Sequence, residues 1–273
     1  MEKLDVKLIA LDLDDTLLND DRLISDGNAE ALRECAERGI YVVLCSGRAE
    51  DAILPFVRRL EIAGKEAGKY IIAINGCSIF DMHKRLQIFC KKVKPEILVR
   101  ANEIAEQYGL KTEVYTPDTI YYEQATKWTK LDVDLCGLKG VAVENYREFI
   151  KQGFTKMLVP GEPEELQKMQ KILREEFGDK AVIFTSKPYF LEILPPKCGK
   201  GEAVEWLSRE LGFGLEKTMG FGDSMNDESL IRMAGYGVAM CNGLDEIKNI
   251  ADFVTDLDNN HDGVGDFLRK HVL

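Results

Sequence analysis

Residues 6–17 read Val-Lys-Leu-Ile-Ala-Leu-Asp-Leu-Asp-Asp-Thr-Leu, an apolar run long enough for one buried strand that ends abruptly in carboxylates. A strand without polar alternation has both faces covered, as in a parallel sheet flanked by helices. Open α/β sheets bind ligands at the carboxyl ends of such strands, so Asp12, Asp14 and Asp15 stand where a site belongs. If the chain stays extended, Asp12 and Asp14 point the same way, because side chains alternate with period two. Paired carboxylates repel, and a hard divalent cation is the simplest counter-charge. Mg²⁺ typically takes one or two carboxylates together with substrate phosphate oxygens. The plain alternative is a turn, since Asp side chains stabilise turns and helix N-termini through backbone hydrogen bonds. This segment alone does not separate the two readings.

The first ~80 residues alternate strand and helix signals. After the strand at 6–11, Ser25 or Asp26 can cap a helix with Ala29, Leu32, Cys35 and Ala36 on one face and Gly39 at its end. A second buried strand at 40–45 leads into Ser46-Gly47-Arg48, an amphipathic helix spans 49–62, and a third strand at 70–74 ends in Asn75-Gly76. Repeated βαβ units imply a parallel sheet. From about His83 to Pro195 the character changes. Strands at 85–90, 111–115, 119–123, 154–159, 181–185 and 189–194 are interleaved with helices near 95–108 and 163–177. This mixed pattern predicts an α+β module inserted into the first domain, with Pro195-Pro196 as the return. The βα pattern then resumes: a helix near 201–211, a strand at 218–222, short strands at 237–240 and 253–255, and a C-terminal helix. The expected division is therefore a core of residues 1–82 and 196–273 with an insert of residues 83–195.

Composition removes several classes of function. No apolar run approaches the ~20 residues of a membrane span, and the first residues lack a signal peptide's basic and apolar regions. The expected location is the cytoplasm, with no membrane partner. A formal net charge of −11 opposes long nucleic-acid contacts, though a bound cation can reverse the local field for a small anionic substrate. The seven cysteines are odd in number and none are spaced as Cys-x-x-Cys, which argues against a disulfide framework and a zinc site. Most lie in apolar or small-residue runs and read as buried, inert thiols. With only three histidines, a His base is a poor candidate.

A second acidic cluster decides the reading. The strand at 218–222 ends in Gly222-Asp223-Ser224-Met225-Asn226-Asp227, the grammar of the first cluster repeated. If the two strands are parallel neighbours, Asp12, Asp14, Asp223 and Asp227 converge with Ser46 and a lysine around one point. Lys200, between Gly199 and Gly201 at a helix start, is the best lysine, ahead of Lys197. These four motifs, in this order at the ends of strands and helices, resemble the haloacid dehalogenase superfamily of phosphotransferases, and within it the Cof-type branch with a large cap (class IIB). The resemblance covers essentially the whole chain. Asn75-Gly76, Asn242 and Asp262-Gly263-Val264 also fit that branch. Asp15 replaces a commoner glycine, a tolerated variant.

The resemblance implies an α/β fold: a Rossmann-like parallel-sheet core with an inserted α+β cap that selects substrate. It implies a Mg²⁺-dependent phosphatase of small phosphorylated metabolites, sugar phosphates foremost. Asp12 is then the nucleophile that forms an aspartyl-phosphate, and Asp14 the acid and base. Mg²⁺ is held by the Asp12 carboxylate, the Asp14 carbonyl and Asp223, with Ser224 available. Asp227 orients water or Lys200 from behind. Ser46, Lys200, Asn226 and the amides of Leu13 and Gly47 hold the phosphoryl oxygens, where positive potential and positioning carry the catalysis. Thr16 reads as a turn residue, Arg48 as a loop brace, and Asn75 as shaping the turn into the insert. A phosphomutase or phosphotransferase on the same scaffold, and a non-catalytic binding protein, remain alternatives; the latter should have lost Asp12 or Asp14. Asp258, Asn260, Asp262 and Gly263 mimic half of a calcium loop, but Arg269 occupies the position that needs a bidentate glutamate. Gly199-Lys200 lacks the rest of a P-loop.

Overall fold

A computed structural model of the chain describes residues 3–273. It divides into two compact units: one made of the chain up to Gly47, Ile53–Phe89 and Gly199–Leu273, the other of Arg48–Ala52 and Cys90–Cys198. Along the chain the strands are β1 (Leu8–Leu11), β2 (Tyr41–Cys45), β3 (Tyr70–Ala73), β4 (Ser78–Asp81) and β5 (Leu86–Cys90). There follow β6 (Glu113–Tyr115), β7 (Thr119–Tyr122), β8 (Lys139–Ala142), β9 (Met157–Pro160), β10 (Val182–Lys187) and β11 (Phe190–Leu194). β12 (Thr218–Gly222), β13 (Tyr236–Ala239) and β14 (Phe253–Val254) complete the series.

The first unit is built on an eight-stranded sheet in the order β14-β13-β12-β1-β2-β3-β4-β5. The strands from β14 to β3 are mutually parallel, and β4 turns back antiparallel to β3. β1 lies between β12 and β2, and all four of its residues are fully buried. Burial of a Leu or Ile side chain contributes about 1.5–3 kcal/mol, so β1 is held from both faces. Leu8 and Ala10 share one cluster with Val43, Cys45 and Ile72 and with Ala203, Val204 and Leu207 of the helix Lys200–Glu210. The helices Asp26–Glu37 and Gly263–His271 pack together, and Phe267 of the latter meets Phe221 of β12 edge-on at 5.5 Å. Ser25, not Asp26, caps the first of these helices: its side chain accepts the Asn28 N–H at 3.3 Å.

The second unit carries a six-stranded sheet, β10-β11-β9-β6-β7-β8, antiparallel throughout except for the β7–β8 pair. The helices Pro95–Gln107 and Pro163–Phe177 cover one face with Ile97, Leu98, Leu166 and Leu173 against Val114, Met157 and Ile193. The fold class is therefore the expected one, a parallel-rich α/β sheet plus an α+β insert.

Three expectations are corrected. The strand near 85–90 belongs to the parallel-rich sheet, beside β4, rather than to the inserted module; a short hairpin simply extends that sheet by one strand. The helix Lys127–Cys136 and the strand Lys139–Ala142 had no counterpart in the sequence reading. Their signals were present: Thr126 accepts the amides of Trp128 and Thr129, and Gly137 ends the helix at φ 65°. Of the seven cysteines, Cys35, Cys45 and Cys77 are buried, Cys90 is exposed and the others are intermediate; none is in a disulfide. Among the described residues no helix is long and apolar enough to cross a membrane.

Candidate active site

Register places the site. Leu11 at the end of β1 lies opposite Leu44 of β2 and Phe221 of β12, so three neighbouring parallel strands finish at one level. The residues that follow them are Asp12, Ser46 and Asp223. The Asp12 N–H donates to the Phe221 carbonyl at 3.1 Å, which keeps the first carboxylate in step with the second cluster.

Beyond Asp12 the chain does not stay extended. Residues Leu13–Leu17 wind through one wide turn closed by the Leu18 N–H on the Leu13 carbonyl at 2.8 Å, with Asp15 in the left-handed region at φ 61°. The extended geometry on which a period-two pairing of Asp12 with Asp14 depends ends with the strand at Leu11. The carboxylates that do gather, with oxygens within 4.8 Å of one another, are Asp12, Asp223 and Asp227. Asp14 is half-buried in the turn and is not one of the three.

Lys200, fully buried at the start of its helix, ties the cluster together. Its ammonium donates to Asp12 Oδ1 at 2.5 Å and to Asp227 Oδ1 at 2.6 Å. Asp227 Oδ2 accepts the backbone amides of Asp223 and Ser224 at 3.0 and 3.2 Å. Both oxygens of Asp227 are thus committed to donors. Thr16, expected only to shape the turn, reaches across to donate to Asp223 Oδ1 at 2.9 Å.

The electrostatics are unbalanced. Three buried carboxylates face one ammonium. Burial, then the Asp227 charge, push the Asp12 carboxyl well above the usual carboxylate range, with Lys200 opposing them. Burial and Asp227 likewise raise Asp223 to about 7, against the pull of Thr16 and Lys200. For Lys200, burial works against the ammonium, but Asp12 and Asp227 outweigh it and raise its pKa. An all-oxygen set with surplus buried negative charge fits a hard divalent cation. Asp12 and Asp223 each commit one oxygen to Lys200 or Thr16 and could offer the other to such an ion, while Asp227 organises Lys200 and the loop amides.

The other expected residues are joined through Asn75. Ser46 is buried; its amide donates to the Ile72 carbonyl and its carbonyl accepts the Asn75 N–H, both at 2.9 Å. Asn226 Nδ2 donates to Asn75 Oδ1 at 3.2 Å, and Ser224 Oγ donates to Asn226 Oδ1 at 2.8 Å. Asn75 therefore links the Ser46-Gly47 loop to the Ser224–Asp227 loop, a role the sequence reading missed in treating it as a turn former. Ile74, Asn75 and Gly76 all have positive φ, at 50°, 50° and 92°. For the non-glycines this conformation costs roughly 1–2 kcal/mol each. A Cβ on Gly76 would stand 2.1 Å from the Gly199 carbonyl, so only glycine lets this turn rest against the segment that presents Lys200. Leu13 is buried and Gly47 half-buried.

Comparison with known proteins agrees with this geometry. Residues 9–268 match the family model of the haloacid dehalogenase-like hydrolases. A 5-amino-6-(5-phospho-D-ribitylamino)uracil phosphatase of Bacillus subtilis is 32% identical, the alignment covering 100% of this chain and 98% of that protein. A second Bacillus subtilis phosphatase is also 32% identical, over 98% of this chain and 100% of its own. The solved structure of a haloacid dehalogenase-like hydrolase from Bacteroides thetaiotaomicron superposes with a TM-score of 0.88 at 30% identity, covering 97% of this chain and 99% of that one.

Proposed function

The chain belongs to the haloacid dehalogenase-like hydrolases, and from that premise we propose that it is a Mg²⁺-dependent phosphatase of small phosphorylated metabolites, sugar phosphates foremost. The observation that carries this reading is the Lys200 ammonium bridging Asp12 and Asp227 at the ends of the central strands, beside Asp223. In this reading Asp12 attacks phosphorus and the bond to the leaving oxygen breaks, giving an aspartyl-phosphate. Asp14 delivers a proton to the departing alkoxide, then takes one from the water that attacks the same phosphorus. That second step frees Asp12 and inorganic phosphate. Lys200, the Ser46 hydroxyl, Asn226 and the amides of Leu13 and Gly47 hold the phosphoryl oxygens. Mg²⁺ would be held by the Asp12 and Asp223 carboxylates and the Asp14 carbonyl, with Ser224 available, and would supply positive charge to the phosphoryl group. In the same reading the unit that contains Cys90–Cys198 selects the leaving group. A ribityl-borne phosphate, named for one relative, supports the choice of substrate class.

The test is phosphate release from p-nitrophenyl phosphate and a sugar-phosphate panel, with Mg²⁺ or with EDTA, beside Asp12→Asn. We expect metal-dependent turnover that falls by at least ~10³-fold in the variant. A wild type that binds Mg²⁺ yet releases no phosphate from any ester would reject hydrolysis and favour a transferase or a binding protein.

A further inference from the structure

The calcium-loop mimic near the C-terminus makes contacts that no metal reading explains. Asp258 Oδ1 accepts the Asn260 N–H at 2.9 Å and lies 2.7 Å from His261 Nδ1, so this carboxylate shapes its own loop. The two asparagines beside it reach out of the loop. Asn259, buried, donates through Nδ2 to the Leu18 carbonyl at 2.9 Å. Asn260 pairs reciprocally with Asp20, accepting its N–H at 3.0 Å and donating to its Oδ1 at 3.1 Å. A third asparagine, the exposed Asn242, donates to the Asp15 carbonyl at 2.8 Å and accepts the Asn259 N–H at 3.3 Å. Asn242 is itself anchored beside the site, because the Leu244 N–H donates to the Asp223 carbonyl at 2.8 Å.

We propose that Asn242, Asn259 and Asn260 are positioning residues, a clasp that holds the turn after Asp12 in the geometry phosphoryl transfer requires. The turn needs holding. It contains a non-glycine left-handed residue, Asp15, whose carbonyl is the one Asn242 captures. The Asp15 carbonyl lies in the peptide to Thr16, so the Asn242 bond fixes the exit side of the left-handed residue that directly follows Asp14. The next captured carbonyl, Leu18, lies at the far end of the same turn. Two segments that follow β13 and β14 thus grip the middle and the far end of the turn that begins between the attacking carboxylate and its acid and base. Misplacing a reacting group by about 1 Å can cost 10²-fold in rate. Because Asn242 is exposed, burial does not demand an asparagine there.

This inference rests on the proposed phosphatase reading, and the experiment separates the two. Asn242→Ala, Asn259→Ala and the double variant are compared with wild type by steady-state kinetics on p-nitrophenyl phosphate, by Mg²⁺-dependent thermal shift and by hydrogen exchange of residues 13–20. We expect kcat to fall roughly 10–100-fold with KM within twofold. The double variant should lose little more than the worse single, since the two asparagines act in one relay. Exchange should quicken in residues 13–20 while the rest of the first unit keeps its protection. Unchanged kcat in both single variants overturns the clasp, as does a loss matched by general unfolding of that unit. A wild type silent on every ester rejects the phosphatase reading instead. In that case unchanged exchange of the turn and unchanged Mg²⁺ affinity still overturn the clasp, whereas faster exchange with weaker Mg²⁺ binding sustains it.

Discussion

Lys200 is the residue on which the cluster's charge balance turns. It is a fully buried lysine, with its ammonium shared by two carboxylates that are themselves buried. Removing one partner of a buried ionic group strands the others, and the cost is typically about 3–5 kcal/mol. Lys200→Met, similar in length but uncharged, should therefore lower the unfolding free energy by about that much in EDTA, measured by urea denaturation. A loss under about 1 kcal/mol would mean that the carboxylates do not depend on this ammonium. Thr16 shows the same principle on a smaller scale. Its neutral hydroxyl helps to hold Asp223 in place with one hydrogen bond from the opposite loop.

At the scale of the element, β6 carries an oddity in the second unit. Val114 faces the apolar cluster, while Glu113 and Tyr115 alternate to the other face, covered by the helix Lys127–Cys136. The Tyr115 hydroxyl donates to Asp132 of that helix, and the Lys156 ammonium lies 4.3 Å from the Tyr115 ring centroid and 3.6 Å from Glu192. Among the described residues neither buried oxygen of Glu113 has a hydrogen bond of good geometry, the Thr129 side chain being the donor that acts on it. Burial and then the Asp132 charge raise its carboxyl to about 8, with Thr129 and Lys156 pulling only partly the other way. The folded pKa lies above the ordinary 4.5. The associated stability is therefore whole below that ordinary value and is lost as pH rises to about 8, by roughly 1.4 kcal/mol per pH unit over the window. Glu113→Gln mimics the neutral form. Its melting temperature should match wild type at pH 5 and exceed it at pH 8.5; equal melting temperatures at both would show that Glu113 ionises without penalty.

For the whole molecule, the two units make different demands on solution conditions. The surplus negative charge sits in the first, so a divalent cation should stabilise that unit. A ligand at a hundred times its Kd adds about 2.7 kcal/mol, worth roughly 5–10 °C in a unit of this size. Calorimetry in Mg²⁺ against EDTA should move the transition of the first unit by this amount, and Asp12→Asn should shrink the shift. Movement of every transition together would show that the two units unfold as one, and no movement would reject the cation site.

How much of this was legible follows from the range of the forces involved. Strands β1 and β12, the helix caps and the alternation of βα units rest on local pattern, so the α/β class and its insert could be read directly from the chain. The residue types at the strand ends are equally plain, and the Asp223 and Lys200 motifs stand in the sequence itself. What the chain could not disclose was the partnership: that Asp14 stands outside the group that Asp12, Asp223 and Asp227 form, that Thr16 crosses to Asp223, that Asn75 bridges two loops, and that a false calcium loop grips the turn after Asp12. Local periodicity sets which residues an element offers, because backbone hydrogen bonds and side-chain alternation act over a few positions. Which of those residues meet depends on sheet order and on turns such as Leu13–Leu17, where one left-handed residue redirects everything that follows. Contacts spanning some 200 positions are settled by packing, and only the tertiary structure decides them.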